Sequence, residues 1–365
     1  EQQSLRAQLE RNHVHFMQRE FPSRLEAALE AVGAFVGARP EDLAFVHNAT
    51  TGVNEVLRSF RFAPGDELIV TDHGYAACTN AAHAVADATG ARVVVAKVPF
   101  PFTDSSEIVD AVLAAVSPKT RLALIDHVTS PTAVVLPVAA ITAALTERGV
   151  ETLIDGAHAA GMLDLEVSAL GALAYTGNLH KWPCAPKGSA FLWVRPDAQA
   201  WMRPTVISHG ACEQTRRFRA EHDWIGTLDP TPWLATPAAL NAVAGLVPGG
   251  WPTLRALNHS RAVLSRRLLE QQLGAESPCP ATSLGSLALV RLPGAKGAPC
   301  ASARFDTLQE TLSSRYRIEV PIIHWPDGET RWVRVSFHVY NRLEQVAFLG
   351  AALQEQCAED RMEGR

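Results

Sequence analysis

Lysine is scarce in this 365-residue chain: Lys97, Lys119, Lys181, Lys187 and Lys296 are the only five, and the rest of its 33 basic residues are arginine. Chemistry that needs a primary amine, such as a Schiff base with a carbonyl compound, therefore has five candidates. Lys181 stands in Thr176-Gly177-Asn178-Leu179-His180-Lys181-Trp182, just past a short apolar run that reads as a strand. It follows by 26 positions the Asp155 of Leu153-Ile154-Asp155-Gly156-Ala157-His158, where an aspartate ends another such run. An aspartate in that place is often only a helix cap or a turn. A carboxylate, two histidines and an amine at neighbouring strand ends could instead form and manage a Schiff base. The other lysines read differently. Lys97 falls inside a strand running to Val98, Lys119 follows a Ser-Pro turn, Lys187 sits between Pro186 and Gly188, and Lys296 lies in a Gly/Pro loop.

Three further segments carry chemistry-bearing types. Asn48-Ala49-Thr50-Thr51-Gly52-Val53-Asn54 opens a helix, and amides at a helix start with threonine hydroxyls suit a phosphate. A plain threonine cap would look the same. Thr71-Asp72-His73-Gly74-Tyr75 puts an aromatic at a strand end, where it could stack on a flat ring or simply pack in a loop. Arg334, in Arg334-Val335-Ser336-Phe337-His338-Val339-Tyr340-Asn341, could grip a carboxylate through two parallel hydrogen bonds. Arg216-Arg217-Phe218-Arg219 could recognise an acidic group, although such runs are more often solvated loops or subunit contacts.

These residues need a frame. The first 37 residues read as helix, with Leu25, Leu29, Val32 and Val36 close to a 3.6 period and Gly37 ending the run. Strands are then expected over 43–47, 67–71, 91–98, 121–126, 151–155, 173–176 and 190–194, and helices over 50–60, 79–89, 106–116 and 138–148. That alternation predicts an α/β fold: a mainly parallel seven-stranded sheet with helices on both faces and its site at the carboxyl ends of the strands. Beyond about residue 235 the pattern changes to a long helix over 253–271 and strand-like runs over 287–292 and 332–337, separated by Pro/Gly-rich loops such as 293–299. The expected division is a large domain over 1–245 and a small α+β domain over 246–365.

Composition narrows the class. At 47% hydrophobic and 19% charged residues, the chain has ample apolar surface to bury. A net charge of −5 argues against a nucleic-acid binder. No apolar run reaches the roughly 18 residues that span a bilayer. The six cysteines form no C-x-x-C pair or metal-ligand spacing, and read as free thiols of a reducing, cytoplasmic compartment. No G-x-G-x-x-G follows the first strand, which removes the usual dinucleotide fingerprint.

Taken together, the Asp155–His158 and Asn178–Ser189 segments, the 48–54 helix start, Tyr75, Arg334 and Gly226-Thr227-Leu228-Asp229-Pro230-Thr231 resemble fold-type-I pyridoxal phosphate (PLP) enzymes. Within these they resemble the class V aminotransferase and cysteine desulfurase superfamily, in its isopenicillin N epimerase-like branch, over about residues 5–355. The resemblance implies the aspartate aminotransferase-like fold and PLP as cofactor. Lys181 would carry PLP and later move the substrate's α-proton. Asp155 would pair with the pyridinium nitrogen, and His158 and Ser130 would reach the phenolic oxygen. Tyr75 would stack on the ring; the candidates for a second acid/base are Tyr75 or a Cys or His from a loop. Thr50, with the amides of Ala49 and Thr51, would cradle the phosphate, with Asn178 and His180 adding contacts. Arg334 would bind the substrate α-carboxylate. Thr227 matches a residue that the family donates from a second subunit, which implies a homodimer with shared sites. The implied activity is epimerisation or racemisation of an amino acid; the alternatives are a class V C–S lyase or aminotransferase, or a silent binding protein on the same fold.

Two departures qualify the match. Cysteine desulfurases carry a nucleophilic cysteine shortly before the matching arginine, whereas this chain reads Arg317-Ile318-Glu319-Val320-Pro321; Cys300 lies further back and is expected to be inert. An Asn-His-Gly segment usual in the branch is not matched by Asn12-His13-Val14, and the expectation is that this segment is missing.

Overall fold

Aliphatic runs such as Leu122-Ala123-Leu124-Ile125 and Leu153-Ile154 bury both faces of a strand only where helices cover both sides of the sheet. The computed structural model of the chain, which describes residues 1–213, 215–293 and 306–362, has that layering. Strands β1 (Leu43–Val46), β2 (Glu67–Thr71), β3 (Arg92–Ala96), β4 (Thr120–Asp126), β5 (Glu151–Asp155), β6 (Ala174–Asn178) and β7 (Ala190–Val194) form one sheet in the order β1-β7-β6-β5-β4-β2-β3. Pairing is parallel from β3 through β6, while β7 runs antiparallel to both of its neighbours.

Alternation along each strand sorts side chains between two cores. Ala123, Ile125 and Ile154 join the core that contains Leu25, Leu29 and Val32 of α2 (Phe21–Val36), which is preceded by α1 (Gln2–Arg11). Leu122, Leu124 and Leu153 face the other core, with Val53 and Val56 of α3 (Ala49–Ser59) and Cys78 and Ala82 of α4 (Ala76–Thr89). Helices α5 (Ser106–Ala114) and α6 (Val138–Thr146) cover the α2 side. Gly37 ends α2 at φ +67°, a left-handed cap that favours glycine.

A second sheet, β8-β10-β9, is antiparallel and joins β8 (Leu287–Arg291), β9 (Ile322–His324) and β10 (Arg331–Ser336). The buried faces of α8 (Gly250–Leu273) and α9 (Leu343–Met362) pack with it, after the shorter α7 (Arg217–Asp223). No helix among the described residues is long and apolar enough to cross a membrane.

Several expectations need correction. The N-terminal helix is broken at Asn12, whose φ of −152° leaves the helix and whose side chain accepts the His15 N–H at 3.2 Å. β3 ends at Ala96, so Lys97 is itself just past a strand; it is exposed and lies 3.7 Å from Asp72 at the sheet edge. The arginine run is structural: Arg219 is buried and ion-paired at 3.1 Å to both Glu26 and Asp223, and Arg217 pairs with Glu221. Strand β9 escaped notice because it is only three residues long. Lys296 and Cys300 lie outside the described residues.

Burial pushes His73 and His127 down to about 4, and the His127 Nδ1 lies 2.8 Å from the Tyr175 hydroxyl. In the unfolded chain each would titrate near 6.5. The unfolded state thus binds more protons between those values, and stability present above about pH 6.5 is lost as pH falls toward 4. His127→Gln should lose roughly 2–3 kcal/mol less than wild type over that window. Equal loss in pH-dependent denaturant unfolding would refute it.

Candidate active site

The floor of the site follows from strand register. β4 and β5 both end in Leu-Ile-Asp, and parallel pairing sets Asp126 beside Asp155 and Asp155 beside Thr176, all on the α3/α4 face. Both aspartates are buried. Asp155 accepts the Ala157 N–H at 2.9 Å and the Cys78 thiol at 3.1 Å; the backbone amide of Tyr75 favours the charged form of Asp126. Burial holds both carboxyls above the usual range, and for Asp126 the neighbouring Asp155 adds to it.

Above this floor, Lys181 Nζ lies 3.1 Å from His158 Nε2. Burial lowers the Lys181 amine in spite of the opposing pull of Asp155. Burial, then Lys181 and Arg334, push His158 well below the ordinary histidine range, so its ring is neutral. A neutral imidazole that accepts at Nε2 carries its proton on Nδ1. That atom is buried with no partner among the described residues. Arg334 Nη1 donates to the backbone oxygen of Ser130 and, at 3.0 Å, to its hydroxyl, while the buried Nε has no partner among the described residues. Buried donors of this kind are rare in finished cores and common where a small molecule binds.

The other end is the start of α3. Asn48 caps it by accepting the Thr51 N–H at 2.9 Å, and the buried Asn178 accepts the Ala49 N–H at 2.8 Å. Two amides expected to cradle a phosphate are therefore engaged inside the protein, and Thr50, with its amide and hydroxyl, is what the first turn offers the cavity. α3 comes this close because residue 52 is glycine: a β-carbon there would collide with the Thr176 side chain. His180 is held by Nδ1 at 2.8 Å from the Ser189 carbonyl. Trp182 stacks on His338, and His338 on Tyr340, joining the segment after Lys181 to the segment after β10.

The expected residues are thus largely gathered. Ala49, Thr50, Tyr75, Ser130, Asp155, His158, Asn178, His180 and Lys181 line one cavity of about 270 Å³. Arg334 reaches its rim through Ser130. Thr51 opens instead on an adjoining cavity beside His47 and Asn54, and Thr227 is exposed and lines neither. Asp126 and Cys78 were not anticipated, although the repeated Leu-Ile-Asp ending of two consecutive strands was a readable signal for Asp126. A buried acid, an amine of lowered basicity, a helix start with a free hydroxyl, an aromatic and a guanidinium fit a phosphorylated heteroaromatic aldehyde and an amino acid.

The aminotransferase class-V family model matches residues 2–244. An isopenicillin N epimerase of Amycolatopsis lactamdurans is 35% identical over 96% of this chain and 90% of its own length. A probable chloroplastic L-cysteine desulfhydrase of Arabidopsis thaliana is 30% identical over 89% of this chain and 72% of its own. Among solved structures, a mutant of C-DES with glycine covalently linked to its PLP cofactor superposes with a TM-score of 0.80 at 21% identity, covering 96% of this chain and 91% of that one.

Asn178→Ala removes the side-chain acceptor of a buried amide, Ala49 N–H. It should destabilise the protein by about 1–3 kcal/mol. Thermal unfolding of the two proteins measures this, and an unchanged midpoint would show that Asn178 does not hold the α3 start.

Proposed function

We propose that this chain, which belongs to the class V aminotransferase family, is an amino-acid epimerase or racemase that removes the α-proton on one side of the substrate and returns it on the other. The cofactor is pyridoxal 5′-phosphate, which, when bound, withdraws electrons from the substrate α-carbon through its protonated ring. Asp155 would hold that ring proton, and Thr50, Asn178 and His180 the phosphate end. His158 would donate its Nδ1 proton to the ring's phenolic oxygen. Ser130 positions Arg334, whose Nε and guanidinium face would take the α-carboxylate. Lys181, kept below its ordinary basicity by burial, has a share of neutral amine able to bond to the cofactor and to move the proton.

Epimerisation needs a second acid/base. The observation that carries this reading is Tyr75: it lines the same cavity as Lys181 and is 44% exposed. The 35% identical epimerase supports it. The desulfhydrase relative supports a second reading, β-elimination from a sulfur-bearing amino acid. Incubation with candidate amino acids in deuterated water should give racemised, α-deuterated substrate. Pyruvate as the main product would favour the lyase, and a ketoacid transamination. Tyr75→Phe should slow racemisation by roughly 10²-fold or more while keeping cofactor binding; undiminished racemisation would exclude Tyr75.

We further propose a cytoplasmic homodimer of two-domain subunits, 1–245 and 246–365, in which exposed Thr227 completes the partner's phosphate site. Free thiols at Cys78, Cys184, Cys212 and Cys279 suit a reducing compartment. Mixing inactive Lys181→Ala with Thr227→Ala tests shared sites: a mixed dimer should recover activity in one site, with Lys181 and Asp155 from one chain and Thr227 from the other. No recovery after confirmed subunit exchange would argue against sharing.

A further inference from the structure

Among the ionisable groups on the cavity wall, Asp126 has no task in this scheme. It is nonetheless buried, in register with Asp155 on the adjacent parallel strand, and open to the same cavity. In-register residues of parallel neighbours face the same way and stand about 5 Å apart. Each carboxylate has a reason to be charged: Asp155 accepts the Ala157 N–H, and the backbone amide of Tyr75 favours the charged form of Asp126. They cannot both be charged cheaply in a buried site. Few groups relieve the conflict. Lys181 faces both acids from beyond β6. The Cys78 thiol on α4 donates to Asp155 and is kept neutral by burial. Tyr175 on β6 is also kept neutral by burial, and its hydroxyl is engaged with His127.

We infer that Asp126 and Asp155 work as one unit that holds a single shared proton without the cofactor and releases it to solvent when the protonated pyridine ring arrives. Asp126 is then a positioning residue that acts through Asp155. The proton count follows: before binding, the pair carries one proton and the ring nitrogen another; afterwards the ring keeps its own and both carboxylates are ionised around it. Asp126 thereby places a second negative charge at the ring nitrogen, and makes cofactor affinity fall as pH falls. Without Asp126, the lone Asp155 would be ionised beforehand and have no proton to release. This inference rests on the proposed PLP chemistry.

Two measurements test it. Protein stripped of cofactor is titrated with PLP by calorimetry at neutral pH in buffers of different ionisation enthalpy. Wild type should release about one proton more than Asp126→Asn, because proton release common to both cancels; equal release would overturn the inference. The asparagine is isosteric and carries no ionisable proton. Infrared difference spectroscopy of stripped against PLP-loaded wild type needs no variant. A carboxylic-acid carbonyl band should be present in the stripped protein and lost on loading, and its persistence would equally overturn the proposal. A wild type that binds no PLP would instead remove the functional reading, while a band lost on Asp126→Asn or Asp155→Asn in the stripped protein would still establish the shared proton, and a band unchanged in both would refute it.

Discussion

Parallel register among β4, β5 and β6 is the constraint on which the site depends. Because side chains alternate along a strand, the pairing that places Leu122, Leu124 and Leu153 in the α3/α4 core also brings Asp126, Asp155 and Thr176 side by side at the carboxyl ends. A slip of one residue would turn both acids toward the opposite core. The hydrophobic effect therefore positions the polar floor: the aspartates are where they are because the leucines before them are buried.

The remaining groups are arranged around that floor by short polar ties. Asn178, at the end of β6, accepts from Ala49 and so fixes the start of α3 against the sheet. Gly52 lets α3 approach Thr176. The smaller sheet reaches the same place twice: Arg334 of β10 grips Ser130, and the Trp325 indole donates to the Asp72 carbonyl at 3.3 Å while its ring lies against the buried His73. His73 in turn lies 2.6 Å from the Thr132 hydroxyl, so the loops that carry Tyr75 and Ser130 share one buried imidazole.

Much of this was legible in the residues. Seven apolar runs, the first five alternating with helical segments, were enough for the sheet, since a strand buried on both faces reads as a continuous run. Lys181, Asp155 and His158 were legible because each closes or follows such a run. What escaped was information about pairing. Asp126 read as the end of a strand, and only register shows that it stands beside Asp155. Which amides at residues 49–51 are occupied could not be read, because Asn178 lies 129 positions from Ala49. Arg219 looked like a surface charge for the same reason: its partner Glu26 lies 193 positions away.

The central claim is that Lys181, among the chain's lysines, is the residue this cavity is built around. Its neutral neighbour His158, the acids beneath it and the nearby guanidinium all bear on that amine. The most direct measurement is borohydride trapping of the PLP-loaded protein followed by peptide mass mapping, which fixes the cofactor on the lysine it is bonded to. The account predicts modification at Lys181 and at no other lysine. Modification at Lys97, Lys119, Lys187 or Lys296 in its place, or none at all in protein shown to be loaded, would contradict it.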